Sequence, residues 1–102
     1  MAHGRNKYQS RENRARIRKI LLQDWDPIGV NGIVEANDEY ATYADKAYVM
    51  LMYDRATADD IAAYLYYIAA EYMGLGHKPR LAESNKAVAE TLVALRLEFE
   101  TR

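Results

Sequence analysis

Apolar residues return every three or four positions in four separate blocks of this chain, and nowhere do they alternate one by one. That period belongs to the α-helix, where residues at i, i+3 and i+4 share a face, and not to the strand, whose period is two. Ile17, Ile20, Leu21 and Trp25 predict a first helix over about 11–24, with Ser10 as its N-cap. Tyr40, Tyr43, Ala44, Ala47, Tyr48 and Leu51 predict a second over about 39–54. Asp38 is its expected N-cap and Glu39 lies in its first turn, where carboxylates meet free N–H groups and the positive end of the helix dipole. Ile61, Tyr64, Leu65, Ile68, Ala69 and Tyr72 mark a third, through about residue 73. It opens on a Thr57–Asp60 capping box and closes on Gly74, with Leu75 placed for a Schellman contact. Leu81, Asn85, Val88, Leu92, Leu95 and Phe99 predict a fourth helix to the chain end.

The expected fold is all-α, a single small bundle of about four helices formed by residues 10–102. Residues 1–9 contain Gly4 and Asn6 and no apolar face, and read as a disordered N-terminal arm. The last apolar row could also be a coiled-coil seam, which would make a dimer. It runs for fewer than three heptads and includes the polar Asn85, so an ordinary bundle face is the preferred reading.

Charge is ordered along the chain. Residues 1–19 carry seven basic groups against Glu12 alone, a balance of +6, and residues 24–60 carry nine acids against Lys46 and Arg55, a balance of −7. The basic helix, with Arg11, Arg14, Arg16, Arg18 and Lys19, can meet nucleic acid, or it can pack against the acidic middle of its own domain. Zero cysteines remove disulfides, thiolate zinc sites and cysteine nucleophiles, and fit a reducing compartment; a cytoplasmic location is expected. No run approaches a membrane span, and Ile20-Leu21-Leu22 is too short for a secretory core.

Around the first connection, Trp25-Asp26-Pro27-Ile28-Gly29-Val30 stops one helix, and Asp24, Asp26, Glu35, Asp38 and Glu39 gather carboxylates. Converging carboxylates hold Mg²⁺ or Ca²⁺, or act as acid and base. Here each has a simpler explanation: Asp26 as a turn acceptor before proline, Asp38 as a cap, Glu39 as a dipole partner. The one Glu-x-x-Asp spacing, Glu35 to Asp38, has no second pair on the next helices, which argues against a helical metal-dependent pyrophosphatase. His3 and His77 have no second ligand at metal spacing, and Gly74-Leu75-Gly76 ends a helix where a phosphate loop would begin one. No catalytic residue, metal or cofactor is expected. Trp25 is expected to be buried against Tyr40 or Tyr43. Tyr66 and Tyr67 are consecutive, so at least Tyr66 should be exposed or at a boundary.

The residues from Trp25 to Val30, then Asp38-Glu39-Tyr40 and Tyr43, resemble the YugE-like proteins, a family of small helical bacterial proteins of unknown function. Ile61-Ala62, Tyr64-Leu65 and Met73-Gly74-Leu75 extend the likeness over about residues 15–75. The resemblance implies a helical fold and a bacterial origin, not an activity. Ala41 stands where that pattern often carries a further acid.

The expected function is a small non-enzymatic protein-interaction module, of which a toxin-neutralising immunity protein would be one concrete instance. Its candidate binding residues are Trp25, Asp26, Asp38, Glu39, Tyr66 and Tyr67. The alternative is a nucleic-acid-associated protein using Arg11, Arg14, Arg16, Arg18 and Lys19.

Overall fold

The computed structural model describes residues 7–26, 34–76 and 79–101, with side chains described for 8–26, 38–76 and 82–100. Four helices follow one another: α1 (Lys7–Ile20, continued by a π-helical turn Leu21–Trp25), α2 (Val34–Met52), α3 (Ala58–Tyr67, continued by a π-helical turn Ile68–Tyr72) and α4 (Pro79–Thr101). No strand occurs among the described residues, and the chain is an all-α bundle.

Cross-helix pairs fix the directions. Trp25, at the end of α1, lies beside Tyr40 near the start of α2 and bonds Asn85 near the start of α4. At the other end Arg14 pairs with Asp45, and Arg16 with Glu98. Helix α1 is therefore antiparallel to both α2 and α4. The closest packing is within two hairpins, α1 with α2 and α3 with α4.

The predicted stripes form the core. Ile17, Leu21, Leu51, Ile61, Leu65, Leu92 and Phe99 are all fully buried. The α4 row is buried too, from Asn85 through Val88, Leu92 and Leu95 to Phe99, inside the chain's own bundle. That face is occupied, as expected of a bundle interior.

Local signals held where they are local. Thr57 Oγ1 accepts from the Asp60 N–H at 3.1 Å, and an Asp60 carboxylate oxygen accepts from the Thr57 N–H at 3.0 Å, which closes the capping box. Gly74 adopts φ +74°, and the Leu75 N–H reaches the Ala69 carbonyl at 3.1 Å, one residue further back than the six-to-one bond of a Schellman motif because a π turn precedes the stop. Leu75 packs on the core beneath it.

Three expectations need correction. Helix α1 already includes Lys7, so Ser10 is no cap; its carbonyl accepts from Arg14 Nε at 3.3 Å. Helix α2 begins at Val34, so Asp38 lies within it; nothing in Val34-Glu35-Ala36-Asn37 breaks a helix, and the Asp38 carbonyl accepts from Thr42 Oγ1 at 3.2 Å. Tyr72 is not a core residue but 70% exposed, because the under-wound π turn carries it off the α-helical stripe. The end of α2 also differs. It stops at Met52 and turns back through Arg55 at φ +55°, with the Ala56 N–H bonded to the Met50 carbonyl at 2.9 Å.

Candidate functional site

Both π turns end helices at the same end of the bundle, and an aromatic cluster sits between them. Trp25 is 5% exposed. Its ring centroid is 5.7 Å from Tyr40 and 6.2 Å from Tyr43, and Tyr43 meets Tyr72 edge-on at 6.3 Å. The indole N–H donates to Asn85 Oδ1 at 2.6 Å. Tryptophan is tolerated in a core when its single donor is satisfied, and a helix 60 residues away provides the acceptor.

Carboxylates rim this cluster. The Tyr40 hydroxyl donates to Asp26 Oδ1 at 3.0 Å, and the Tyr43 hydroxyl reaches Glu39 Oε2 at 3.4 Å. Burial, then the Asp26 bond and charge, hold the Tyr40 phenol well above its ordinary value. Burial and the Glu39 charge raise Tyr43. The Tyr64 hydroxyl donates to the Tyr43 carbonyl at 3.3 Å, and burial pushes its phenol up to about 12. These phenols stay neutral donors at any physiological pH. The arrangement clamps the ends of α1, α2 and α4 together.

The named candidates therefore separate. Trp25 belongs to the core. Asp26 is half-buried, has φ +22°, and is tied to Tyr40. Asp38 and Glu39 are exposed on the first turns of α2. Tyr66 is half-buried, the boundary position expected of it, and Tyr67 is 58% exposed on α3. The connection through Pro27, Ile28, Gly29 and Val30 and the histidines His3 and His77 lie outside the described residues, as does the side chain of Glu35. Among the described residues no three His, Asp or Glu side chains converge as metal ligands would.

Two surfaces remain. Helix α3 and its π turn expose Asp59 and Asp60 at the start and Tyr67, Glu71 and Tyr72 at the end, and the stretch 58–72 has no Lys, Arg or His. The outer side of α1 carries the cations. Arg14 pairs with Asp45 at 3.8 Å and Arg16 with Glu98, whereas Arg11, Arg18 and Lys19 have no ion pair among the described residues. Among the described residues only Arg14 meets the acidic middle of the chain, so internal charge matching there explains little of this face. Arg11, Arg14 and Arg18 line an open groove of about 400 Å³ between α1 and α2, with Ala15, Ala41 and Asp45.

Sequence reasoning missed Asn85 as the indole's partner, the buried Asn13, and the role of Arg96. Arg96 donates from Nε to the Leu51 carbonyl at 2.8 Å and from its terminal amino group to the Ala56 carbonyl, which covers the C-terminus of α2. The signal for Asn85 and Asn13 was present as a polar residue in an apolar row, at 85–88–92 and 13–17–21. Nothing in the sequence names their neighbours. No family model, curated protein or solved structure matches the chain.

Proposed function

We propose that this chain is a non-enzymatic protein-interaction module that docks a basic partner through the outer face of α3. The observation that carries this reading is the exposure of Tyr67 (58%) and Tyr72 (70%) beside Glu71, on a helix that also exposes Asp59 and Asp60 at its start and has no cation. Exposed tyrosines combine a large rigid contact area with a polar tip and are enriched among the residues that dominate binding energy. The flanking carboxylates would speed encounter with a basic surface and reject acidic ones. A toxin-neutralising immunity protein is one assignment with this chemistry. Membership of the YugE-like family is part of the same proposal and supplies a bacterial origin. No helix among the described residues is long and apolar enough to cross a membrane.

Affinity capture with the intact chain, followed by mass spectrometry, tests this. The expected result is a basic protein retained by the wild type and lost by a Tyr67→Ala/Tyr72→Ala/Glu71→Lys variant with an unchanged circular dichroism spectrum. Retention by that variant, or no retained partner, would overturn the α3 reading.

A second reading, nucleic-acid association through α1, is favoured by a separate observation: Arg11, Arg18 and Lys19 have no ion pair among the described residues, and Arg11, Arg14 and Arg18 share one groove. Phosphate contacts require only such clustered cations.

A further inference from the structure

We propose that the groove between α1 and α2 binds a nucleic-acid phosphodiester backbone, and that Asp45 occupies a phosphate's place beside Arg14 until a strand displaces it. This rests on the second reading above, and it assigns that reading a site and a built-in competitor.

Arg11, Arg14 and Arg18 lie at i, i+3 and i+7, so they form one row on α1. Seven residues of helix rise about 10 Å. A row of that length offers successive contacts to a chain of phosphates, whereas a single phosphate ion would engage only part of it. All three cations are arginines, whose planar fork matches phosphate oxygens in pairs. Small side chains, Ala15 and Ala41, keep the groove open between the helices.

Asp45 is the one acid on this lining. It approaches Arg14 Nε at 3.8 Å, the outer limit of an ion pair, and its side chain is 58% exposed. Both contacts of Arg14, to Asp45 and to the Ser10 carbonyl, use Nε. Its two terminal amino groups are left for a ligand among the described residues. Such an exposed, long pair is worth little, so a phosphate can replace it.

Among the described residues, none of those lining the groove is an aromatic on which a base could stack. Binding through it should therefore be indifferent to sequence and strongly dependent on salt. A lipid surface fits less well. The outward residues of α1, Tyr8, Arg11, Glu12, Arg16 and Lys19, include a single aromatic and no aliphatic side chain to insert below headgroups.

The test uses the full chain and a fluorescently labelled single-stranded DNA oligonucleotide of mixed sequence, followed by anisotropy across a salt series. The wild type should bind at low salt, with a slope of log affinity against log salt of about −2, three phosphates at roughly 0.7 each. Arg11→Gln/Arg18→Gln should weaken binding about tenfold and bring the slope to about −0.7. Asp45→Asn should strengthen it about two- to fivefold, the reverse of what loss of a merely structural contact would do. Arg16→Gln, on the far side of α1 and paired with Glu98, should change it less than about twofold. If the wild type fails to bind at low salt, this inference and the nucleic-acid reading fall together; binding of anionic phospholipid vesicles in that case would identify a lipid headgroup as the source of phosphate. If the wild type binds but Asp45→Asn does not strengthen it, or Arg16→Gln weakens it as much as the groove pair does, the groove assignment is wrong and nucleic-acid association by another part of α1 survives.

Discussion

Trp25 joins three helices through two separable interactions, a buried ring and one hydrogen bond. Its ring touches Tyr40 and Tyr43 on α2 and its N–H holds Asn85 on α4. Trp25→Ala should cost about 3–5 kcal/mol, the range for a buried large aromatic, in urea unfolding. Trp25→Phe keeps most of the apolar contact but removes the donor to Asn85 Oδ1. Asn85 Nδ2 has no partner among the described residues, so the whole amide would then be buried unpaired, at a cost of about 1–3 kcal/mol. An unchanged midpoint for Trp25→Phe would mean that the hydrogen bond contributes nothing. Asn13 gives the opposite sign. It is fully buried, and neither its Oδ1 nor its Nδ2 has a partner among the described residues. Asn13→Leu removes the desolvation penalty and continues the Ile17–Leu21 row, so stability should rise by about 1–3 kcal/mol. A loss of stability instead would show that the amide is satisfied by a buried water. The burial of Trp25, Tyr40, Tyr43 and Asn85 was legible in the sequence, but the bond between Trp25 and Asn85 was not. Periodicity tells which side of a helix faces inward, but not which residue of a distant helix stands opposite.

At the level of helices, what the sequence disclosed depended on range. The Thr57–Asp60 box and the Gly74–Leu75 stop are made within a few residues; the box appears as read, and the stop keeps its left-handed glycine and the Leu75 core contact, with backbone bonds one residue wider than a Schellman motif's. The end of α2 was misread because its stop is made by α4: Arg55 takes a left-handed conformation without being glycine, and Arg96 covers the freed Leu51 and Ala56 carbonyls. Arg96→Leu should therefore destabilise by about 1–3 kcal/mol, since two carbonyls lose a charged donor. Arg96→Lys should rescue only part, because one ammonium cannot reproduce the two-pronged contact. Equal stability of the two variants would show that the fork is irrelevant. The start of α2 was misplaced for a different reason. Asp38 has the chemistry of a cap, but the residues before it are free to continue the helix. Asp38→Ala should now fall within about 0.5 kcal/mol of the wild type, as a surface substitution does. Asp26 differs from it. Asp26→Asn keeps an acceptor for the Tyr40 hydroxyl and should be mild, whereas Asp26→Ala strands that hydroxyl at a cost of about 1–3 kcal/mol. Millimolar Mg²⁺ or Ca²⁺ should leave the wild-type Tm unchanged; a rise abolished by Asp26→Asn would restore a metal-site reading.

Across the whole molecule, the all-α class and the core stripes were readable because four amphipathic periods leave few alternatives to a bundle. The surfaces were readable only in part. Charge order along the chain marked α1 as basic, but which arginines lack partners depends on how α1 lies against α2 and α4. The same packing concentrates three tyrosines at one end, and this sets a limit on stability at high pH. Tyr40, Tyr43 and Tyr64 are all raised above the ordinary phenol value, Tyr64 to about 12, chiefly by burial. In the unfolded chain each would titrate near 10. Between those values the unfolded state has released protons that the native state still holds, so the native state loses ground as pH rises. The neutral phenols therefore contribute fully below pH about 10, and that contribution declines as pH climbs through the folded-state values. The urea midpoint should be level from neutral pH to about 9 and fall steeply between about 10 and 12. Tyr64→Phe should start from a slightly lower midpoint, having lost the bond to the Tyr43 carbonyl, but fall less steeply because one of the three ionisations is gone. A wild-type midpoint that stays level through pH 12, or a Tyr64→Phe curve parallel to it, would show that these hydroxyls titrate as they do in water and that the cluster is open to solvent.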